Sequence, residues 1–193
     1  MRIANLSAAK VSGAPGPRHV LRTVALLTLL LGIAYAQSPT AGEYQIKAAF
    51  LYNFAKFVEW PASSFHDGSA PFQICVMGRD PFGEVLLDIT REKTVNGRKL
   101  EVGTVADLEH ARTCQILFVA SSVKMPIQQI IEDLRGASVL TVGDTKGFVE
   151  QGGMINFVLQ DDRVQFDVSR TAVEQAGLKI SSKLLSVAKV VSK

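Results

Sequence analysis

Residues 72–90, FQICVMGRDPFGEVLLDIT, decide the fold class of this 193-residue chain. The first six, FQICVM, are apolar enough for a strand that is buried on both faces. Asp80 and Pro81 then predict a helix start, as an N-cap followed by proline at the first helical position, and the helix should run to about Thr90. A buried strand followed by a helix is the unit from which parallel sheets are built.

The same alternation continues along the chain. Residues 116–120 (ILFVA) and 139–142 predict buried strands, with an amphipathic helix over 126–134 between them. Apolar and polar residues alternate on either side of Asp161-Asp162, which predicts an antiparallel hairpin with a two-residue turn. Residues 100–102 predict a short strand, and residues 183–190 a last helix. We therefore expect an α/β domain: a three-layer sandwich with a mixed, mostly parallel sheet, flanked by helices and carrying a C-terminal antiparallel hairpin.

The first 36 residues have the pattern of a secretory signal peptide. Four basic residues precede an uncharged apolar run of eleven, residues 23–33, and Ala34-Tyr35-Ala36 forms an A-x-A cleavage site. The predicted cut lies between Ala36 and Gln37, which leaves residues 37–193 as a single exported domain. An uncleaved anchor is the alternative, although the run is shorter than the roughly 20 apolar residues of a membrane-spanning helix.

Export changes what the charge implies. The whole chain carries 21 basic and 18 acidic residues, a net charge of +3. Without the four basic residues of the signal peptide the net charge is −1, so the electrostatic case for nucleic-acid binding disappears. The remaining chain has two histidines in polar stretches, no phosphate-binding glycine motif, and two S-x-x-K matches, at Ser121 and Ser186, without companion motifs. We expect no enzyme activity, no metal and no cofactor.

The two cysteines are candidates for a disulfide, because export places them in an oxidising compartment. Cys75 lies in the first predicted strand and Cys114 just before another. If those strands are neighbours, a bridge is geometrically reasonable, and it would stabilise the fold by about 4 kcal/mol on the chain-entropy model. Two buried free thiols are the alternative.

The candidate partner-binding residues come from two apolar segments. The predicted helix over residues 43–59 carries two adjacent apolar stripes that cover roughly 200°, where a one-sided core helix needs about 100°. Either this helix is buried between two layers, or one stripe faces a second protein through Leu51, Phe57 and Trp60. Phe148 and Met154 lie in a glycine-rich loop that is either a plain connector or a contact loop.

A small-ligand site is the alternative function. Open α/β sheets bind ligands at the carboxyl ends of their strands. Here those ends supply Arg79, Ser121 and Asp144, and the arginine with nearby hydroxyls could hold a small anion. The same residues could equally serve as helix caps and turn residues.

Four segments together resemble the YfiR family of small periplasmic regulators: YQIKAAFLYNFAKFVEWP from Tyr44, FQICVMGRDPFG from Phe72, VGDTKGFVEQGGMINFVLQDDRVQFDVS from Val142, and AGLKISSKLLSVAKVV up to Val191. The resemblance covers nearly all of the predicted exported domain. The aromatic helix that ends in Glu-Trp-Pro is its most distinctive part.

The resemblance implies a non-enzymatic regulator that binds the periplasmic sensor domain of an inner-membrane diguanylate cyclase or another sensor. Repression of the cyclase would lower cyclic di-GMP and biofilm formation. The resemblance also implies a second partner, an OmpA-like outer-membrane lipoprotein. It implies a homodimer as well. Cys75 and Cys114 match one cysteine pair of the family, whereas Val149 and Asn156 stand near the positions of a second pair, so a two-bridge redox switch is not expected.

Overall fold

The computed structural model describes residues 39–191, with side chains from residue 42 onward. The predicted signal peptide and its cleavage site at Ala36 and Gln37 lie outside these residues. Among the helices of residues 39–191, none has the length and apolar character needed to cross a membrane.

A sheet of eight strands runs through the centre of residues 39–191, in the order β10-β8-β7-β6-β5-β2-β4-β3. The strands are β2 Phe72–Met77, β3 Thr94–Val95, β4 Arg98–Val105, β5 Ile116–Val119, β6 Leu140–Gly143, β7 Ile155–Gln160, β8 Arg163–Ser169 and β10 Lys189–Val191. The pairs β7–β8 and β3–β4 are antiparallel, and the other five pairs are parallel. The predicted mixed, mostly parallel sheet with a C-terminal hairpin is therefore confirmed.

Helices cover both faces of the sheet. They are α1 Pro39–Phe57, α2 Glu84–Thr90, α3 Leu108–Ala111, α4 Ile127–Asp133, α5 Arg170–Gln175 and α6 Ser182–Leu185. One core lies between the sheet and α1, α2, α5 and α6, and is rich in phenylalanine. A second, smaller core lies between the opposite face and α3 and α4. Two cores around one sheet give the predicted three-layer arrangement.

The disulfide is confirmed. Cys75 in β2 and Cys114 just before β5 are bonded, with their Cα atoms 6.0 Å apart. β2 and β5 are neighbours, with Cys75 in register with Leu117. Both cysteines are buried in the smaller core, so the bridge ties two adjacent parallel strands together beneath α3 and α4.

Two local predictions were wrong. Helix α2 begins at Glu84 rather than at Pro81, because the Asp80 carboxylate instead accepts a hydrogen bond from Phe82 N (2.8 Å) and closes a turn. The predicted last helix stops at Leu185, and Lys189–Val191 form β10, which pairs with the open edge of β8. The predicted strand over 100–102 is confirmed, and the structure extends it to residues 98–105 as β4.

A small second sheet fastens the end of α1. Val58–Glu59 form β1, which pairs antiparallel with β9, Lys179–Ile180. Ser181 N also donates to Phe57 O (2.9 Å). This pairing ends the helix two residues before the predicted limit and joins it to the C-terminal part of the chain.

Candidate functional site: an apolar surface beside the first helix

The two sides of α1 differ sharply in exposure. The fully buried stripe consists of Ala48, Leu51, Phe54 and Ala55, at the i, i+3, i+4 spacing of a core-facing helix. Ile46 and Phe50 lie on an adjacent side, and Ile46 is 47% exposed. The helix is therefore a core element on one side and an apolar surface element on the next.

Phe50, on the partly exposed side of α1, packs on the β7–β8 hairpin, which Phe54 of the buried stripe also contacts. The ring of Phe50 contacts those of Phe157 and Phe166, with centroid distances of 6.0 and 5.1 Å. Phe157 and Phe166 are cross-strand partners in β7 and β8. Ile46 is one turn before Phe50, toward the start of the helix.

Apolar exposure continues onto the hairpin. Leu159 and Val164 are also cross-strand partners, two positions beyond Phe157 and Phe166 and on the same face of the sheet. Leu159 is 55% exposed and Val164 is partly exposed. We call Ile46, Phe50, Leu159 and Val164 the helix–hairpin patch. Apolar residues exposed together on one face are typical of a protein-binding surface.

A buried ionic cluster fixes the start of α1 to the sheet. Lys47 Nζ lies 2.8 Å from Asp144 Oδ2 and 2.6 Å from Glu43 Oε1. Tyr44 donates its hydroxyl hydrogen to the same Asp144 oxygen (2.8 Å). Asp144 directly follows β6, so the first turns of α1 cover the carboxyl end of that strand.

One carboxylate oxygen of this cluster lacks a hydrogen bond. Asp144 Oδ1 is buried and has no hydrogen-bond partner, although Oδ2 has two. Burial, followed by the hydrogen bond to Asp144, raises the pKa of the Tyr44 phenol. The ammonium of Lys47 also lies 4.4 Å from the centroid of the Tyr44 ring. Residues 97 positions apart thus form one network, which holds the start of α1 against the end of β6.

The three predicted ligand-binding residues do not form one site. Arg79 and Ser121 are exposed at the ends of the neighbouring strands β2 and β5, and Arg79 N donates to Oγ of Ser122 (2.8 Å). Asp144 forms an ion pair with Lys47 beneath α1. Three cavities of about 400, 470 and 460 Å³ lie elsewhere, and none is lined by these three residues. In the described part of the chain, no three His, Cys, Asp or Glu side chains group as metal ligands.

The residues predicted to bind a partner are mostly internal. Leu51 and Phe148 have no exposed surface, and Met154 is also buried. Phe148 is held between Gly143 and Gly153, where an added Cβ would lie 2.6 and 2.2 Å from its ring. The glycines of this loop therefore make room for an inward-facing aromatic ring, which leaves Phe148 no surface to offer a partner.

Phe57 and Trp60 are half-buried at the other end of α1. The indole of Trp60 packs edge-on against Phe72, with centroids 4.9 Å apart, and its Nε1 donates to Gln115 O (3.1 Å). Phe57 lies within 5.2 Å of Lys183 Nζ. Both residues anchor the helix end, and each keeps part of its surface exposed.

Val149 and Asn156, near the positions of a second cysteine pair in the family, are both buried. The side-chain amide of Asn156 is oriented so that its nitrogen donates to Gly143 O (3.2 Å) and Thr145 O (3.1 Å). These hydrogen bonds connect the start of β7 to the end of β6 without a disulfide.

Comparison with known proteins identifies one family. The sequence model described as YfiR/HmsC-like matches residues 44–189. No curated protein matches the chain. Two solved structures are similar over 63% and 62% of this chain: a conserved domain protein from Vibrio cholerae (16% identity, TM-score 0.48) and an ABC domain in complex with L-Trp from Streptococcus pneumoniae (9%, 0.45). The chain spans 54% and 55% of their lengths, and TM-scores this low carry no functional inference.

Proposed function

Because the chain belongs to the YfiR/HmsC-like family, we propose that it is an exported regulator that acts by binding another protein. The family is generally regulatory rather than catalytic. Together with the disulfide, it indicates the periplasm, where such bonds persist. The predicted signal peptide would deliver the chain to that compartment.

We propose that the partner is the periplasmic domain of an inner-membrane sensor, in the first instance a diguanylate cyclase that the regulator represses. Repression would lower cyclic di-GMP and reduce biofilm formation. An OmpA-like outer-membrane lipoprotein that captures the regulator would relieve this repression.

The observation that supports this proposal is the helix–hairpin patch. Ile46 and Leu159 are about half exposed, and the patch that they form with Phe50 and Val164 includes a contact of Phe50 with Phe157 and Phe166 in the core. An exposed apolar surface of this kind favours protein association, because binding removes its apolar side chains from water. Without the predicted signal peptide the net charge is −1, which provides no comparable electrostatic attraction to a partner.

The test is capture of periplasmic sensor domains encoded beside the gene. The wild-type protein should retain one of them. The double variant Ile46→Asp with Leu159→Asp should bind that domain with a dissociation constant at least tenfold higher. Met125→Asp is the matched control, because Met125 is exposed and apolar but lies outside the patch. Equal binding by the patch variant and the control would contradict the proposed surface, and capture of no domain by the wild type would contradict the proposed partner.

A further inference from the structure

The last turn of α1 and helix α6 together place two exposed lysines around one aromatic ring. Lys56 Nζ lies 5.7 Å from the centroid of the Phe57 ring, and Lys183 Nζ lies 5.2 Å from the same centroid. Lys56 Nζ also lies 5.4 Å from the ring centroid of Tyr52, one turn earlier. Both lysines are exposed, and both aromatic residues are partly exposed. Two helices that are distant in sequence therefore build one surface from basic and aromatic side chains.

An exposed apolar side chain continues this surface along the C-terminal segment. Val187 is 66% exposed, the largest exposed fraction among the large apolar residues that the structure describes. Hydrogen bonds from Ser186 N to Ser182 O (2.9 Å) and from Val187 N to Leu184 O (3.3 Å) continue the helical turn beyond α6. Lys183 and Val187, four residues apart, therefore lie on the same side of that turn. We call Lys56, Phe57, Lys183 and Val187 the lysine–aromatic patch.

The two lysines of this patch have no acidic partner. Among the ion pairs in the described part of the chain, none includes Lys56 or Lys183. Residues 175–191 contain no aspartate or glutamate. Glu59, the acidic residue that follows α1, lies opposite Lys179 in the β1–β9 pair. The patch thus presents two uncompensated positive charges, although the predicted exported domain has a net charge of −1.

This combination of residue types fits a phospholipid surface better than a protein. Lysine is depleted in the cores of protein–protein interfaces. In contrast, segments that lie at a membrane surface combine lysines, which attract anionic headgroups, with aromatic and aliphatic side chains that enter the headgroup region. The long apolar stem of lysine allows its ammonium group to stay with the phosphates while neighbouring apolar groups lie deeper.

We propose that the lysine–aromatic patch binds the surface of a bilayer that contains anionic phospholipids. Lys56 and Lys183 lie at the level of the lipid phosphates, and Phe57 and Val187 enter the headgroup region between them. The bilayer in question is the inner membrane, met from its periplasmic side. The inference rests on the proposed function for this location only.

The position of the patch leaves the helix–hairpin patch free for a protein partner. Lys56 follows Ile46 by ten residues on α1, which separates them by about 15 Å along the helix axis. One end of the helix can therefore face the membrane while the other contacts a protein domain. A regulator held at the membrane meets membrane-anchored sensors at a higher effective concentration than a regulator that is free in the periplasm.

Cosedimentation with vesicles tests the proposal without any protein partner. The protein purified from the periplasm should bind vesicles of phosphatidylglycerol and phosphatidylethanolamine but not vesicles of phosphatidylcholine alone. High salt should weaken binding, because it screens the attraction between lysines and phosphates. Lys56→Gln with Lys183→Gln should lower the partition coefficient at least tenfold, since each lysine at an anionic surface contributes roughly fivefold. Val187→Asp should weaken binding with both lysines in place.

Two controls separate the patch from overall charge and from the helix–hairpin patch. Lys124→Gln with Lys146→Gln removes the same charge from exposed lysines elsewhere, and Ile46→Ala changes the helix–hairpin patch. Both should bind the vesicles like the wild type. All substituted residues are exposed, so every variant should unfold at the wild-type temperature.

Several results would overturn the proposal. They are no binding to the anionic vesicles, equal binding to both kinds of vesicle, full binding by the Lys56 and Lys183 double variant, or an equal loss in the lysine control. Another is a double variant that binds vesicles normally but no longer binds a sensor domain in solution, since the patch would then serve a protein. Because the vesicles contain no protein, failure of the proposed sensor partner leaves the vesicle results unchanged.

Discussion

The two sides of α1 show how one helix can serve both the fold and a surface. The side bearing Leu51 and Phe54 is fully buried against the sheet, whereas the side bearing Ile46 leaves an apolar side chain half exposed. Both sides carry apolar residues. The sheet, including its β7–β8 hairpin, covers the first side completely, since Phe54 packs on Phe157 and Phe166, whereas it covers the second side only partly.

The difference depends on the anchor at the start of the helix, so breaking the anchor should have the largest effect. Lys47→Met leaves Asp144 buried without its counter-ion, and we expect the free energy of unfolding to fall by about 3–5 kcal/mol in urea denaturation. Adding Asp144→Leu should recover most of this loss. A double variant as unstable as the single one would show that the ion pair is not the cause.

Truncation on each side of α1 should separate the two roles directly. Leu51→Ala removes a fully buried side chain and should cost about 2–5 kcal/mol, because it leaves a cavity. Ile46→Ala, on the exposed side of the same helix, should change stability by no more than about 0.5 kcal/mol. Thermal unfolding of the two variants measures both values, and equal losses would contradict the division of the helix into two sides.

A smaller effect should appear at high pH. Burial and the hydrogen bond to Asp144 raise the pKa of Tyr44 above its ordinary value of 10.0. A group with a raised pKa in the folded state contributes stability that is complete below the unfolded pKa and is lost as the pH rises above it. The wild type should therefore lose stability above about pH 10 more steeply than Tyr44→Phe. Parallel pH profiles from urea denaturation would show that the phenol is not coupled to folding.

Much of the architecture is predictable from local sequence. The apolar runs of β2 and β5 and the alternation of the hairpin around Asp161-Asp162 are signals within single segments, and the structure has those elements at or within one residue of the predicted limits. β10 and the β1–β9 pair are not predictable in this way. They exist because a distant strand offers an open edge, which no local pattern records.

The site was less predictable for a similar reason. The pattern identifies an apolar excess on α1, but it selects Leu51, which is buried, and passes over Ile46. Asp144 is a reasonable ligand candidate until Lys47, 97 residues away, is placed beside it. Leu159 fits the inward-facing alternation of β7, and only the limited cover given by α1 makes it exposed.

We propose that the protein, through its helix–hairpin patch, represses a partner that makes cyclic di-GMP. The most direct measurement is the cellular cyclic di-GMP level in a deletion strain complemented with the wild type, with the Met125→Asp control, or with Ile46→Asp and Leu159→Asp together. Deletion should raise the level, and the wild type and the control should lower it again, while the patch variant leaves it high. An unchanged level on deletion, or full restoration by the patch variant, would contradict the claim.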